Sequence, residues 1–315
     1  MNEELNISTL GTNTKRNYFN GRYIHENIAI AEDVIAYASK TNLGVCFIQG
    51  ATPEMGRIFS SSEKFIFAGS YRCNGKINEL GSKLLTFVSS LKVKKTVLNE
   101  MLKQKSLKPI SSVPASWGNE TAGILIDKDL NPRMSQTVDL PSKGIQRHYT
   151  ETLVDFNGLP TVFMGTHLTH NNKKMRLEQL DIFFERAKEQ LKNGVPIIMS
   201  GLFNINKEDT EEYGYLKEKM ETLGLQEVPV TENTYISRDK QGNLTKNSGV
   251  KSYILCSKEF TFTDPIVLEE NPSFKHRPIN TTVILSEYGL QRLNQYKQEL
   301  HLENNVEDSK KHKKI

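Results

Sequence analysis

The chain has 315 residues, of which 37% are hydrophobic and 25% charged, with a formal net charge of +4. Such a composition suits a soluble globular protein with a sizeable core, and no run approaches the roughly 18 apolar residues of a membrane span. The small positive balance permits an anionic ligand but is not the concentrated basic face that marks nucleic-acid binding. In chain order, MNEELNISTL lacks the basic and apolar regions of a signal peptide, and its LNISTL (5–10) reads as a strand. ENIAIAEDVIAYASK (26–40) sets Ile28, Ala31, Val34, Ile35 and Ala38 on one helical face. LGVCFIQG (43–50) is a buried strand ending in glycine, and residues 76–104 read as helical, with two apolar stripes.

Strands follow at 121–127, 148–156 and 160–168, the last two joined by NGLP, a hairpin signal. KMRLEQLDIFFERAKEQLKNG (174–194) is a helix with Leu177, Leu180, Phe184, Ala187 and Leu191 aligned and Gly194 at its C-terminal end. VPIIMS (195–200) opens a buried strand. A helix near 208–223 follows, then strands near 232–237, 249–257 and 279–285, and a helix near 287–302 with Leu290, Leu293, Tyr296 and Leu300 spaced to pack on the domain. Residues 1–302 thus read as a single domain, and 303–315 as a charged, solvated tail. Strand hairpins mixed with helices, without strict βαβ alternation, point to a layered α/β fold with largely antiparallel sheets. Cys46, Cys73 and Cys256 are too scattered for a disulfide framework or a zinc site. With reduced thiols and no signal-peptide pattern, the expectation is an intracellular, cytoplasmic protein.

Five phrases, in order, resemble the endonuclease/exonuclease/phosphatase family, with its deoxyribonuclease-I-like fold. GVCFIQGA resembles a strand ending Leu-Gln-Glu, and GTHLTH with MRLEQL resembles Thr-His-Leu followed by an Arg-x-x-Gln helix. PIIMSGLFNIN resembles Gly-Asp-Phe-Asn, GVKSYILCS resembles Arg-Ile-Asp-Tyr-Ile-Leu, and FKHRPINTTVIL resembles Ser-Asp-His-Arg-Pro with its closing strand. ETAGILIDKDL falls where the family has an edge strand. The resemblance spans roughly residues 5–285. It implies a four-layered α-β-β-α sandwich of two packed, mostly antiparallel sheets with outer helices, a site where strand ends of both sheets meet, and a helical insertion near 76–104.

The activity the resemblance implies is hydrolysis of phosphate esters assisted by Mg²⁺ or Mn²⁺, which needs carboxylate ligands. His167, His276 and Asn204 match the family's catalytic pattern. The acidic positions do not: they fall on Gly50, Leu202, Ser252 and Lys275, and the early asparagine falls on Gly11 or is replaced by Asn13. Leu202 cannot orient water, and a cation would meet a lysine with no carboxylate to offset its dehydration. The expectation is therefore a pseudoenzyme with no metal cofactor. It is a binding or scaffold module for a phosphate-containing ligand or a protein partner, with Lys275, Arg147, His167 and His276 as the phosphate-binding set. Two alternatives stand beside it. One is a Mg²⁺- or Mn²⁺-dependent hydrolase whose acids have moved, to Glu54 or Glu120. The other is metal-independent RNA cleavage by the two histidines. Trp117 reads as a packing lid.

Overall fold

The computed structural model describes residues 4–13, 22–69, 121–142 and 146–298. The expected insertion near 76–104, Trp117, Glu120, Cys73 and the tail 303–315 lie outside the described residues. One sheet contains β1 (Glu4–Thr12), β2 (Val45–Ala51), β3 (Phe65–Ala68), β4 (Thr121–Asp127), β11 (Phe260–Phe262), β12 (Ile266–Val267) and β13 (Phe274–Leu285). Its order is β11-β13-β1-β2-β4-β3, with β12 beside β13. The other contains β5 (Met134–Leu140), β6 (Arg147–Phe156), β7 (Leu159–His167), β8 (Ile197–Leu202), β9 (Gln226–Glu227) and β10 (Ser252–Cys256), in the order β5-β6-β7-β8-β10-β9. Each sheet holds one parallel pair, β1 with β2 and β7 with β8, and the other pairings are antiparallel.

The buried residues fall into three clusters, as four layers require. Phe47, Ile124, Phe163, Ile198 and Ile254 lie in the cluster between the sheets. Helices α1 (Arg22–Lys40) and α2 (Pro53–Ser60) cover the outside of the first sheet through Ile30, Val34, Ala38, Met55 and Phe59. Helices α3 (Lys173–Lys192) and α4 (Thr210–Leu223) cover the second through Leu180, Phe183, Ala187, Leu216 and Met220. Strand side chains alternate between faces, so each inner strand contributes to two of these clusters. The architecture is the α-β-β-α sandwich expected from the sequence.

Several local expectations need correction. The buried stripe of α1 runs through Asn27, Ile30, Ala31, Val34 and Ala38, not through Ile28. TAGILID is an inner strand, because β3 pairs beyond it and takes the edge. Residues 232–237 form no strand; Tyr235 makes only an isolated bridge to Gly249. The NGLP turn is as read: Asn157 and Gly158 both have positive φ, the geometry a two-residue hairpin favours. Residues 287–298 are helical and pack as expected through Leu293, which is buried against the Gly158 turn, while Leu290 faces solvent. Among the described residues no helix is long and apolar enough to cross a membrane.

Candidate functional site

The motif phrases converge because of register. In the second sheet His167 pairs with Leu202, and Leu202 with Ser252. All three share the faces of Phe163, Ile198 and Ile254, two or four residues away, so they point into the gap between the sheets at its end. In the first sheet Gly11 lies between Gln49 on β2 and His276 on β13. Three of the four expected acid positions are buried in or beside these two rows: Gly50 follows Gln49, and Leu202 and Ser252 are in the other. Lys275, the fourth, precedes His276 and is exposed.

The described positions differ in their local geometry. Gly50 sits at a register irregularity between β2 and β4 with φ +84°, a conformation that an L side chain adopts only under strain. Leu202 is buried but belongs to none of the three clusters. Ser252 is 1% exposed, and its Oγ has no partner among the described residues. At Gly11 an added Cβ would lie 2.9 Å from Cδ2 of His276, so the imidazole occupies the space a side chain there would need. Asn13, the other candidate for the early asparagine, donates its side-chain amide to the Pro272 carbonyl at 2.9 Å. Asn204 lies in the turn after β8 and donates to the Leu168 carbonyl at 2.7 Å.

His276 is 3% exposed. Burial, with help from Lys275 and Lys251, pushes its pKa down to about 3, so the ring is neutral near pH 7. Its Nδ1 has no partner among the described residues. One face stacks on Tyr235, with centroids 4.8 Å apart, and the ammonium of Lys251 lies 4.7 Å from that same tyrosine ring centroid. Lys251 is a residue the motif reading passed over. The signal was present: a lysine between Val250 and Ser252, where the resembled motif has isoleucine. Its backbone is pinned at the rim, since its carbonyl accepts from the amides of Phe203 and Asn204 and its own amide donates to Thr234 Oγ1.

His167 lines a narrow crevice with Thr121, Ala122, Gln146, Arg147 and His148. Arg147, itself buried, lines the same crevice as His167. His148 was not singled out from the sequence. Its Nε2 accepts from the Ala122 amide at 3.0 Å and also contacts Thr121 Oγ1, so a β6 side chain ties the second sheet to β4 of the first. Thr150 does the same, donating to the Ala122 carbonyl at 2.7 Å.

Behind His167 stands a polar clamp that explains the Arg-x-x-Gln motif. Arg176 makes a bidentate pair with Glu212 at 2.6 and 2.7 Å and donates to the carbonyls of Thr169 and His170. Gln179 accepts from the Thr169 amide at 2.8 Å and donates to the Pro141 carbonyl. Both residues hold the loop that leaves β7 directly after His167. Glu54, one of the two acids considered as a relocated ligand, accepts from the Asn27 side chain at 2.7 Å. Among the described residues no three His, Cys, Asp or Glu side chains are grouped so as to hold a metal ion. The residues at the rim do not fit a divalent cation, which needs hard oxygen ligands where Gly50, Leu202, Ser252 and Lys275 stand.

No family model matches the sequence, and no curated protein matches it either. Solved structures do match. An endonuclease/exonuclease/phosphatase from Bacteroides vulgatus superposes with a TM-score of 0.62 at 14% identity, covering 90% of this chain and 99% of that one. A mannosyl-6-phosphatase from Bacteroides thetaiotaomicron gives 0.60 at 14% identity, covering 89% and 100%. TDP2 of D. rerio, in a complex with single-strand DNA product, gives 0.58 at 15% identity, covering 89% and 98%. At these identities the likeness is one of fold.

Proposed function

We propose that this chain, which has the fold of the endonuclease/exonuclease/phosphatase proteins, is a non-catalytic member of that fold that binds a phosphate group without a metal. The observation that carries this reading is the rim itself. Register sets Leu202 and Ser252 in one row, with Gly50 and Lys275 at opposite ends of the row Gln49–Gly11–His276, and no carboxylate stands at any of the four acid positions. A phosphoesterase of this type uses a metal ion to neutralise charge on the phosphoryl oxygens and an acid to orient water. Leu202 does neither. Lys275 and Lys251 instead bring positive charge to the rim, which attracts a phosphate directly.

The two-histidine alternative asks one imidazole to donate a proton near pH 7. His276 is too buried and too weakly basic for that role. The relocated-acid alternative needs Glu54 to leave Asn27, or Glu120 to supply ligands.

The test combines a thermal-shift titration with an activity assay. With EDTA present, inorganic phosphate should raise the melting temperature saturably. Mg²⁺ or Mn²⁺ up to about 10 mM should not, although a site with a dissociation constant of about 1 mM would stabilise the fold by roughly 1.4 kcal/mol at that concentration. Hydrolysis of p-nitrophenyl phosphate, bis-p-nitrophenyl phosphate and single-stranded DNA should stay at background. A saturable metal shift accompanied by turnover would overturn the reading.

A further inference from the structure

We propose that a recess between residues 229–232 and 264–267 is a docking site that takes one arginine side chain from an extended segment of a partner protein. The site is independent of the phosphate-binding reading, and none of its lining residues belongs to the two rim rows. Pro229, Val230 and Glu232 form one wall and Asp264, Pro265 and Val267 the other, around a volume of about 210 Å³. That is below the roughly 300–1,000 Å³ of small-molecule pockets, so it suits a single side chain. Its position follows from topology. β9, just before the first wall, ends the second sheet, and β12, within the second wall, pairs only with β13, so the recess opens between two sheet edges. Among the described residues no strand covers either edge, and an unpaired edge is where an extended segment adds.

The recess is apolar inside and acidic at its mouth. Val230 and Val267 are buried and belong to the cluster between the sheets, with Pro229 and Pro265 beside them. Glu232 and Asp264 are exposed. Arginine matches both parts, with an aliphatic stem and a guanidinium that meets carboxylates through a planar fork. The charges on these walls call for one cation. Glu232 is shared with Arg277 at 3.0 Å, and Lys207 is paired with Glu227. The Asp264 carboxylate makes no ion pair or hydrogen bond among the described residues. A chain of net charge +4 thus carries one uncompensated negative charge among these groups.

The walls are held in place by the protein itself. Arg277 donates through Nε to the Leu268 carbonyl at 2.6 Å and through Nη2 to that of Val267 at 3.3 Å, on the side of the second wall. The same guanidinium donates through Nη1 to the Asn233 carbonyl at 3.1 Å and through Nη2 to the Glu232 carboxylate, on the side of the first. Lys207 also fixes that first wall, donating to the Val230 carbonyl at 2.9 Å. One buttress therefore spans both walls. The recess is formed before anything enters it, and a preformed site spares a partner the cost of ordering it.

The experiment follows the Val230 and Val267 methyl signals of the full chain by NMR while a peptide is added up to about 10 mM. The probes are acetyl-Val-Thr-Arg-Thr-Val-amide and its counterpart with citrulline, which keeps the shape of arginine and loses the charge. The arginine peptide should shift both signals saturably, and the citrulline peptide should bind about fivefold or more weakly. Asp264→Asn should weaken the arginine peptide about threefold to fivefold, and Asp264→Glu should retain most of the binding. Glu221→Gln, at an exposed acid on α4, should leave it unchanged. Equal binding of the citrulline peptide, undiminished binding in Asp264→Asn, or no saturable shift overturns the proposal. So does movement of both methyl signals when Lys310, Lys311, Lys313 and Lys314 are changed to Gln before any peptide is added, because the occupant is then the chain's own C-terminal lysines.

Discussion

Two polar clusters lie at the same end of the sandwich, and they are built on opposite terms. At the clamp, Arg176, Glu212, Gln179 and Thr169 satisfy one another and the loop carbonyls around them. At the rim, Gln49 Oε1, Ser252 Oγ and His276 Nδ1 are buried without partners among the described residues, and Lys251 has only an aromatic face. A satisfied buried network stabilises and fixes geometry, whereas an unsatisfied one is tolerated where something else completes it. The clamp therefore reads as structure, and the rim as the place where a ligand or water completes the network.

The sharpest way to break this comparison is at the clamp. Glu212→Ala leaves the Arg176 guanidinium buried and unpaired, and should cost about 3–5 kcal/mol in urea unfolding. Replacing both partners, Arg176→Met with Glu212→Leu, should recover much of that loss, because removing a whole buried pair is far less costly than stranding one charge. If the single variant lost under about 1 kcal/mol, the clamp would not be the structural element described.

At the rim the largest expected effect is on pH dependence. The folded-state pKa of His276 lies below its unfolded value, so the unfolded chain binds the proton more readily. The stability it confers is fully present above about pH 6.5 and is lost as the pH falls toward 3. Between pH 7 and pH 5 the loss should be about 2 kcal/mol. His276→Gln should flatten that segment of the stability profile whatever its own effect at pH 7. An unchanged slope would mean that the ring protonates without disturbing the rim.

A smaller effect tests whether one acid placed at the rim is enough to bind a metal. Gly50→Glu places a side chain at φ +84° and should cost about 1–2 kcal/mol. It should bring no response to Mg²⁺ in a thermal-shift titration, since Leu202, Ser252 and Lys275 still offer no carboxylate. A metal-dependent shift in this single variant would show the rim to be nearer a hydrolase than its residues suggest.

Much of this was legible in the sequence, and what was not has physical reasons. The inter-sheet core was readable because strands such as VCFIQG and VPIIMS are buried on both faces and appear as continuous apolar runs. The motif order carried the fold. The edge strands β3 and β5 were missed because they are short or largely exposed, so no periodic apolar pattern marks them. Tyr235 escaped because it reaches His276 from a loop about forty residues away in the chain, and Lys251 gained meaning only once that tyrosine was placed beneath it. His148 read as one more strand residue, because nothing in a single strand says that its neighbour across the gap will be a backbone amide.

Two buried serines give the smallest and most discriminating contrast. Ser200 and Ser252 lie on adjacent strands, both on the face toward the first sheet, and neither is more than 1% exposed. Ser200 donates its hydroxyl to the Tyr253 carbonyl at 2.8 Å, whereas Ser252 Oγ has no partner among the described residues. Ser200→Ala should therefore cost about 1 kcal/mol, the net worth of an ordinary hydrogen bond. Ser252→Ala removes a hydroxyl that is already unsatisfied and should be neutral or stabilising by up to about 1 kcal/mol in ligand-free protein. With saturating phosphate the order should change if the hydroxyl serves the ligand: Ser252→Ala would then lose part of the ligand-induced stabilisation, and Ser200→Ala would keep all of it. Equal losses for both serines without ligand would mean that an ordered water already completes Ser252, and the contrast between clamp and rim would narrow to Lys251 and His276.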